Sequence, residues 1–330
     1  MPLFAASDSV AVQACARRLA DGGLVAFATE TVYGLGARAD DDAAVAGIFA
    51  AKGRPSNHPL IVHVAALDDV AFFCSEPGHQ ARRLMRAFWP GPLTVIVQRH
   101  PIHAAAAAGG QNSIGLRMPA HPAALALLQA ARALGVPGVA APSANRFGRV
   151  SPTHAAHVVQ EFGPVLWVLD GGECPVGIES AIVDCTRPQP ALLRPGQIGR
   201  SAIEAVLGLP LAAPDAASPR APGTLAAHYA PRAAVRLIEA ASLARRLQLL
   251  AAGQAECPGS VGVYSRVAPQ GMPAWVWRPM PSTPAAVAHE LFSVLRELDD
   301  AGVASILVEC PPASPDWDGV RDRLQRAAAA

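Results

Sequence analysis

The segment LVAFATETVYGLG, residues 24–36, joins a short apolar run directly to a loop of hydroxyl groups and glycines. The run Leu24–Ala28 predicts a buried strand. The loop Thr29–Gly36 leaves the end of that strand, where α/β folds line their ligand sites. Its glycines allow a ligand to approach the backbone closely. Taken alone, the pattern also fits an ordinary strand-to-loop transition. The polar groups of the loop are Thr29, Glu30, Thr31 and Tyr33.

Over the first two-thirds of the chain, stretches that are typical of strands alternate with stretches that are typical of helices. Apolar runs such as Leu60–Val64 and Leu93–Gln98 predict strands, and amphipathic stretches such as Val10–Ala20 predict helices. The mixture favours an α/β domain with a mixed sheet. Residues 209–232 are rich in proline and alanine and predict an interdomain linker. Residues 233–330 alternate again and predict a smaller, doubly wound α/β domain.

The composition is that of a globular protein. A length of 330 residues predicts roughly two domains. Hydrophobic residues make up 51% and charged residues 16%, which excludes intrinsic disorder. The net charge of +1 argues against a surface that binds polyanions everywhere, although a local basic cleft remains compatible with it. With no apolar run of about 18 residues and no signal-peptide pattern, we expect a cytoplasmic protein without membrane contact.

Cysteine usage favours buried apolar groups over metal ligands. None of the six cysteines forms a CxxC pair, and zinc would require closer clustering. No metal-ligating residues are therefore predicted. The six are Cys15, Cys74, Cys174, Cys185, Cys257 and Cys310.

Lysine occurs once in the chain. Of the 27 basic residues, 26 are arginine and one is Lys52, which stands two residues before Arg54 at a predicted helix end in AKGRPSNHPLIVHV, residues 51–64. Two neighbouring cations suit an anion with several oxygens, such as a triphosphate. Favourable charge at a helix C-terminus is the alternative. His58 and His63 flank the following strand, and each alone fits a structural role better than a catalytic one.

Arginines also end two other predicted strands. Ser113 begins a strand that ends at Arg117, where a guanidinium can bind a carboxylate or phosphate; a surface salt bridge fits equally well. Arg194 precedes Pro-Gly and therefore projects from a strand end. The pair His228-Tyr229 lies in the predicted linker and is expected to pack against another part of the protein.

A second polar cluster is APSANRFGRVSPTHA, residues 141–155. Ser143 and Asn145 lie two residues apart in a predicted tight loop. Ser151 and the following Pro-Thr open a predicted helix, whose N-terminal amides could bind an anion. A capped turn is the alternative.

The common nucleotide-binding motifs do not fit. A P-loop requires Ser or Thr after its lysine, and Gly53 follows Lys52. The glycines of residues 34–39 match GxGxxG/A, but no acidic residue follows at the dinucleotide-binding distance.

Taken together, these motifs resemble the threonylcarbamoyl-AMP synthase family in its long form. The order of the motifs along the chain agrees with that family, and the combination is specific although each motif alone is weak. The resemblance rests on TETVYGLG, the KxR of Lys52 and Arg54 with HPLIVHV, GPLT at residues 91–94, SxN at Ser143 and Asn145, SPT at 151–153, RPG at 194–196 and HYAP at 228–231.

The resemblance implies a fold and a reaction. It implies a YrdC-like twisted mixed sheet flanked by helices over residues 1–208, a linker with the HYAP motif over 209–232, and a Rossmann-like accessory domain over 233–330. The implied reaction condenses L-threonine, bicarbonate and ATP to threonylcarbamoyl-AMP and pyrophosphate for tRNA modification. A downstream threonylcarbamoyl transferase and tRNA are the implied partners, and Mg²⁺ is expected to arrive with ATP, held mainly by phosphates.

The resemblance also implies roles for individual residues. Lys52 and Arg54 would be catalytic by offsetting the charge of the triphosphate. L-Threonine would contact Thr31, His63, Arg117 and Ser180, with Arg117 on its carboxylate. ATP would contact Lys52, Arg54, His58, Ser113, Ser143, Asn145, Ser151, Arg194 and Tyr229. One departure is Ala181, where the family commonly has threonine.

A different class of function is a YrdC-like module that binds double-stranded RNA or tRNA without adenylating activity. Such a module would make many phosphate contacts and bind with a steep salt dependence. The near-neutral net charge is mild evidence against it. Threonine-dependent turnover distinguishes the two.

Overall fold

A computed structural model of the chain describes residues 2–252, 260–269 and 275–330. These residues form two compact units. The first unit comprises Met1–Phe147 and Ser151–Thr224, and the second comprises Gly148–Val150 and Leu225–Ala330. The change of unit after Thr224 falls inside the segment predicted to be a linker.

The first unit is built on one mixed sheet of ten strands. Its strands are β1 (Leu3–Ala5), β2 (Val25–Phe27), β3 (Gly34–Arg38), β4 (Ile61–His63), β5 (Leu93–Gln98), β6 (Ser113–Arg117), β7 (Val139–Ala140), β8 (Trp167–Asp170), β9 (Ala181–Asp184) and β10 (Ala191–Arg194). Its helices are α1 (Ser9–Ala20), α2 (Asp42–Lys52), α3 (Val70–Phe73), α4 (Gly78–Phe88), α5 (Pro122–Ala133), α6 (Ala155–Phe162) and α7 (Arg200–Leu207).

The strand order confirms the prediction of a mixed sheet. It runs β1-β8-β2-β3-β7-β4-β6-β5-β9-β10. Strand β8 pairs in parallel with β1 and β2, and β4 with β6, whereas β3 and β7 are antiparallel to their neighbours. The alternation of helix and strand in the sequence did predict an α/β sheet, but only the pairing reveals how far apart in sequence the neighbouring strands lie.

Helices cover both faces of this sheet and bury two apolar cores. Helices α1 and α5 pack on one face, where Leu19 and Leu127 contact a cluster that includes Phe27. Helices α2 and α4 cover the other face, where Ile48 and Leu84 join the larger cluster. Each helix therefore gains stability from the burial of one apolar face.

Helix α2 has a favourable capping residue at each end. Asp41 caps its N-terminus, since its Oδ1 accepts the amides of Ala43 and Ala44 at 2.8 and 3.1 Å. Gly53 ends it in the left-handed conformation at φ 63°, which glycine adopts without strain. The chain reverses there, so that Lys52 is the last helical residue and Arg54 follows the turn.

The glycines of TETVYGLG lie in a strand and not in a ligand-binding loop, contrary to the interpretation from sequence. The loop ends at Tyr33, and Gly34 begins β3, which pairs antiparallel to β2. A Cβ on Gly36 would come within 2.8 Å of both Phe27 Cε1 and Val139 Cγ1. Glycine is therefore required by packing within the sheet.

The second unit carries a separate parallel sheet of four strands, which confirms the predicted smaller doubly wound domain. The strand order is β11-β14-β12-β13. The elements are β11 (Ala234–Ile238), α8 (Ala240–Ala251), β12 (Val261–Ser265), β13 (Val276–Pro279), α9 (Pro284–Asp300), β14 (Ser305–Glu309) and α10 (Asp318–Ala328).

Cysteine burial agrees with the sequence prediction over the described part of the chain. Cys15, Cys74 and Cys174 are buried, and Cys185 and Cys310 are half-buried. Burial raises the pKa of the Cys15 thiol to about 11. Cys257 lies outside the described residues. None of the described helices is both long and apolar enough to cross a membrane.

Replacing Gly36 by alanine should destabilise the first unit. The new methyl group would overlap Phe27 and Val139, and overpacking of a close-packed core costs about 1–3 kcal/mol. The matched control is Gly199→Ala, where no atom lies within 4 Å of the added Cβ. Urea unfolding should reveal the loss for Gly36→Ala only; equal free energies of unfolding for the two variants would contradict this packing argument.

Candidate active site

The loop after β2 is shaped by its own hydroxyl groups. Thr29 Oγ1 accepts the amides of Thr31 and Val32, each at 3.2 Å, and donates to the Val32 carbonyl at 2.6 Å. These bonds fold residues 29–32 into a tight turn. Glu30 and Thr31 are buried within it, so their polar groups stand at the end of a sheet strand.

Arg117, at the end of β6, reaches into this turn. Its Nη1 donates to Thr31 Oγ1 at 2.9 Å and its Nε to the Gly91 carbonyl at 3.2 Å. Its Nη2 lies 2.6 Å from Glu30 Oε1, and both side chains are buried. The sequence predicted Arg117 and Thr31 as site residues, but it gave no role to Glu30.

His63 stands beside Arg117 because β4 and β6 are parallel and pair these two residues in register. Burial, followed by the nearby Arg117 charge, lowers the pKa of His63 to about 3. The imidazole is therefore neutral at physiological pH. It presents its edge to Phe27, with ring centroids 6.3 Å apart.

A second cluster of polar side chains centres on Ser180, near the ends of three strands. Thr94 Oγ1 and Ser180 Oγ are 2.8 Å apart. Arg194 donates to the Ser180 carbonyl at 3.0 Å and to Ser180 Oγ at 3.2 Å. Gly196 lies close against the first residue of β9, since a Cβ at this position would lie 2.4 Å from the amide nitrogen of Ala181. The structure thus brings Ser180 and Arg194 into contact and adds Thr94.

The one lysine is tied to the loop that carries Ser143 and Asn145. Lys52 Nζ donates to the carbonyl of Ser143 at 2.6 Å and to the carbonyl of Asn145. Its side chain is buried, and burial, with a smaller contribution from Arg54, holds the pKa of the ammonium well below its ordinary value. Carbonyl oxygens compensate only part of the cost of desolvating a cation. An anionic ligand beside Lys52 would stabilise its charged form.

Arg54 and His58 meet around an aromatic ring that the sequence analysis did not single out. Arg54 Nη2 donates to the Pro59 carbonyl at 2.9 Å, and its Cζ lies 5.8 Å from the centre of the Phe147 ring. His58 contacts the same ring edge-on at 5.4 Å. Burial and the charge of Arg54 lower the pKa of His58.

Backbone pairing joins the two halves of the site. The amide of Leu35 donates to the Pro142 carbonyl at 2.8 Å, and the amide of Ala144 donates to the Tyr33 carbonyl at 2.7 Å. The amide of Tyr33 also donates to the Pro152 carbonyl at 2.8 Å. The TETVY turn, the loop with Ser143 and the segment with Ser151 are therefore direct neighbours.

Ser151 finds a carboxylate partner and does not cap a helix. Its hydroxyl donates to Glu179 Oε1 in a short hydrogen bond, and both residues are buried. Helix α6 begins only at Ala155, with His154 as its N-cap. The sequence-based expectation of a Ser-Pro-Thr helix start is therefore wrong, because the proline carbonyl is used by Tyr33 instead.

Two further predicted residues, Ser113 and Tyr229, are buried. Ser113 is buried at the start of β6, opposite Gln98 of β5. Tyr229 belongs to the second unit, where it has φ 62° and stacks on Phe292 with ring centroids 5.4 Å apart. The Arg323 guanidinium lies 5.6 Å from the centre of the Tyr229 ring. The linker motif does pack, as expected, but a role of Tyr229 over a nucleotide stays a prediction.

Two buried carboxylates near the site contact protein groups. Glu30 is paired with Arg117, and Glu179 accepts the Ser151 hydroxyl. Over the described parts of the chain, no group of three histidine, cysteine, aspartate or glutamate side chains could hold a metal ion.

The first unit thus carries a buried lysine, buried arginines and two buried carboxylates near the ends of its strands and helices, an arrangement typical of an α/β enzyme. Residues 17–196 match the Sua5/YciO/YrdC family model, described as "Telomere recombination", and residues 198–329 match "Threonylcarbamoyl-AMP synthase, C-terminal domain". The chain belongs to the threonylcarbamoyl-AMP synthase family, an enzyme family of nucleotidyltransferase type.

Relatives and a solved structure agree with this membership. The chain is 38% identical to the threonylcarbamoyl-AMP synthase of Pyrococcus abyssi over 93% of this chain and 91% of the relative. It is 37% identical to that of Bacillus subtilis over 94% of this chain and 90% of the relative. The crystal structure of P. abyssi Sua5 complexed with L-threonine superposes with a TM-score of 0.90 at 34% identity, covering 99% of this chain and 98% of that one. The resemblance found in the sequence is confirmed.

Replacing His63 by asparagine should reduce the loss of stability on acidification. With a pKa near 3, native His63 excludes a proton that the unfolded chain takes up below pH 6.5. Stability from this residue is therefore lost as the pH falls from 6.5 towards 3. Between pH 7 and pH 5, the free energy of unfolding should fall by about 2 kcal/mol more in the wild type than in His63→Asn. Urea titrations at both pH values measure this difference, and parallel losses would contradict it.

Proposed function

We propose that this chain is an L-threonylcarbamoyladenylate synthase. It would condense L-threonine, bicarbonate and ATP to threonylcarbamoyl-AMP and pyrophosphate. The observation that carries the proposal is the junction of two groups in one buried site: Arg117 with Thr31 and Glu30, and Lys52 with the loop of Ser143 and Asn145. The relatives' name and the threonine complex of P. abyssi Sua5 support it.

The group around Arg117 has the chemistry of an amino-acid site. Arg117 can hold a carboxylate with two parallel hydrogen bonds, and Thr31 lies 2.9 Å from the same guanidinium. A neutral His63 can exchange one hydrogen bond with the substrate hydroxyl without adding charge. L-Threonine would thus contact Thr31, His63, Arg117 and Ser180.

The group around Lys52 has the chemistry of a nucleotide site. Lys52 and Arg54 would offset the charge of the triphosphate, and the magnesium ion would enter as part of MgATP. The aromatic and amide groups nearby would contact the rest of the nucleotide. The proposed ATP contacts in the first unit are Lys52, Arg54, His58, Ser113, Ser143, Asn145, Ser151 and Arg194.

The proposed reaction depends mainly on how the protein positions its reactants. The threonine ammonium first loses one proton to solvent, and the resulting amine bonds to the carbon of carbon dioxide or bicarbonate to form a carbamate. With carbon dioxide the nitrogen loses a second proton to solvent, and with bicarbonate that proton leaves with hydroxide as water. A carbamate oxygen then attacks the α-phosphorus, and the bond to pyrophosphate breaks. Lys52 and Arg54 stabilise the leaving charge, and burial protects the labile carbamate from water. The product would pass to a threonylcarbamoyl transferase that acts on tRNA.

The direct test follows pyrophosphate and product mass. Purified protein is incubated with MgATP and bicarbonate, with and without L-threonine. We expect pyrophosphate only when both threonine and bicarbonate are present, together with the mass of threonylcarbamoyl-AMP. Folded, ATP-binding protein that releases no threonine-dependent pyrophosphate would overturn the proposal. RNA binding with a steep salt dependence would then favour the non-enzymatic YrdC-like module.

Replacing Lys52 by alanine should abolish adenylation. Loss of a desolvated charge that meets the developing phosphate charge costs about 100-fold or more in kcat/KM. The control is Arg82→Ala, which removes the same charge from an exposed ion pair with Glu76. Steady-state pyrophosphate release should fall only in Lys52→Ala. Activity within a few-fold of wild type would show that Lys52 is not part of the reaction.

A further inference from the structure

The Glu30 carboxylate is buried but incompletely satisfied. The residue is only 6% exposed. Its Oε1 lies 2.6 Å from Arg117 Nη2, yet neither carboxylate oxygen accepts a well-formed hydrogen bond from any residue that the structure describes. Buried carboxylates ordinarily accept several hydrogen bonds, since each oxygen has two acceptor positions. The Glu30 oxygens can therefore accept hydrogen bonds from a ligand that carries several N–H or O–H donors.

The neighbouring donors are committed elsewhere. Thr29 Oγ1 donates to the Val32 carbonyl. The Thr31 hydroxyl accepts from Arg117 Nη1 and lies 2.9 Å from Thr29 Oγ1, to which it can donate. The backbone of Glu30 is also engaged, since its carbonyl accepts the amide of Val176 at 2.8 Å. The backbone of the turn is therefore held by groups other than the Glu30 carboxylate oxygens.

A buried arginine–glutamate ion pair contributes little net stability, because desolvation offsets most of the attraction between the charges. The same pair is a good receptor for a zwitterion. In an α-amino acid the carboxylate and the ammonium are attached to one carbon, so their partners must also be neighbours. Arg117 matches the carboxylate, and Glu30 stands directly beside it with the opposite charge.

We propose that Glu30 binds the α-ammonium group of the amino-acid substrate and thereby selects α-amino acids over 2-hydroxy acids. The inference rests on the proposed function, which makes L-threonine the substrate. Three N–H donors of the ammonium would supply the hydrogen bonds that the Glu30 oxygens lack. They would also hold the nitrogen that becomes the carbamate nitrogen at a fixed place in the site.

The test compares binding of L-threonine with that of its hydroxy analogue, in which a hydroxyl replaces the amino group. Isothermal titration calorimetry with the wild-type protein should give a Kd for the hydroxy acid about 100-fold higher or more. Glu30→Gln should weaken threonine binding and bring the two Kd values within a few-fold. The matched control is Glu173→Gln, which removes the same charge from a side chain that is 46% exposed; it should keep the wild-type ratio.

The outcomes are distinct from those of the pyrophosphate assay. Equal affinity of the wild type for both compounds, or a wild-type ratio in folded Glu30→Gln, overturns the role of Glu30 while leaving threonine-dependent turnover intact. A wild-type protein that neither binds threonine nor turns it over overturns the proposed function, and this inference with it. If Glu30→Gln does not fold, a crystal structure of the wild type with L-threonine decides. The nitrogen should lie about 3 Å from a Glu30 oxygen, and a separation above about 4 Å refutes the contact.

Discussion

Two main-chain hydrogen bonds between residues 33–35 and 142–144 hold the candidate site together. They align the TETVY turn with the loop that carries Ser143 and Asn145, and the charged side chains of both segments depend on that alignment. Backbone bonds of this kind are insensitive to side-chain identity, which makes them a robust frame. Lys52 adds a third tie, since its ammonium bridges two carbonyls of the same loop. The site is therefore pre-formed by the fold.

The buried charges of Arg117 and Lys52 have different partners in the two halves of the site. Arg117 faces a carboxylate at 2.6 Å, so that half is close to electrically neutral. Lys52 meets carbonyl dipoles, which leave its positive charge largely uncompensated. A zwitterion suits the first environment and a polyanion suits the second. This difference agrees with the two substrates of the proposed reaction, and it follows from which partner each cation has.

The sequence predicts the mixed sheet, the smaller parallel sheet and most of the polar residues that converge, because each of these has a local pattern. It misses what depends on strand pairing across the chain. The Glu30–Arg117 pair joins residues on elements far apart in sequence, and no spacing rule links them. The same holds for Glu179 with Ser151 and for Phe147 beside Arg54. Gly34 and Gly36 were misinterpreted because glycine in a loop and glycine in a crowded strand look alike without their neighbours.

The two units are interwoven in chain order, because Gly148–Val150 packs with the second unit while residues on both sides belong to the first. The amide of Ala230 donates to the Gly148 carbonyl, and Arg296 donates to the Val150 carbonyl. A single cut near residue 224 would therefore leave Gly148–Val150 on the fragment that carries the first unit. An excised first unit would carry three residues, between Phe147 and Ser151, that have lost their packing partners.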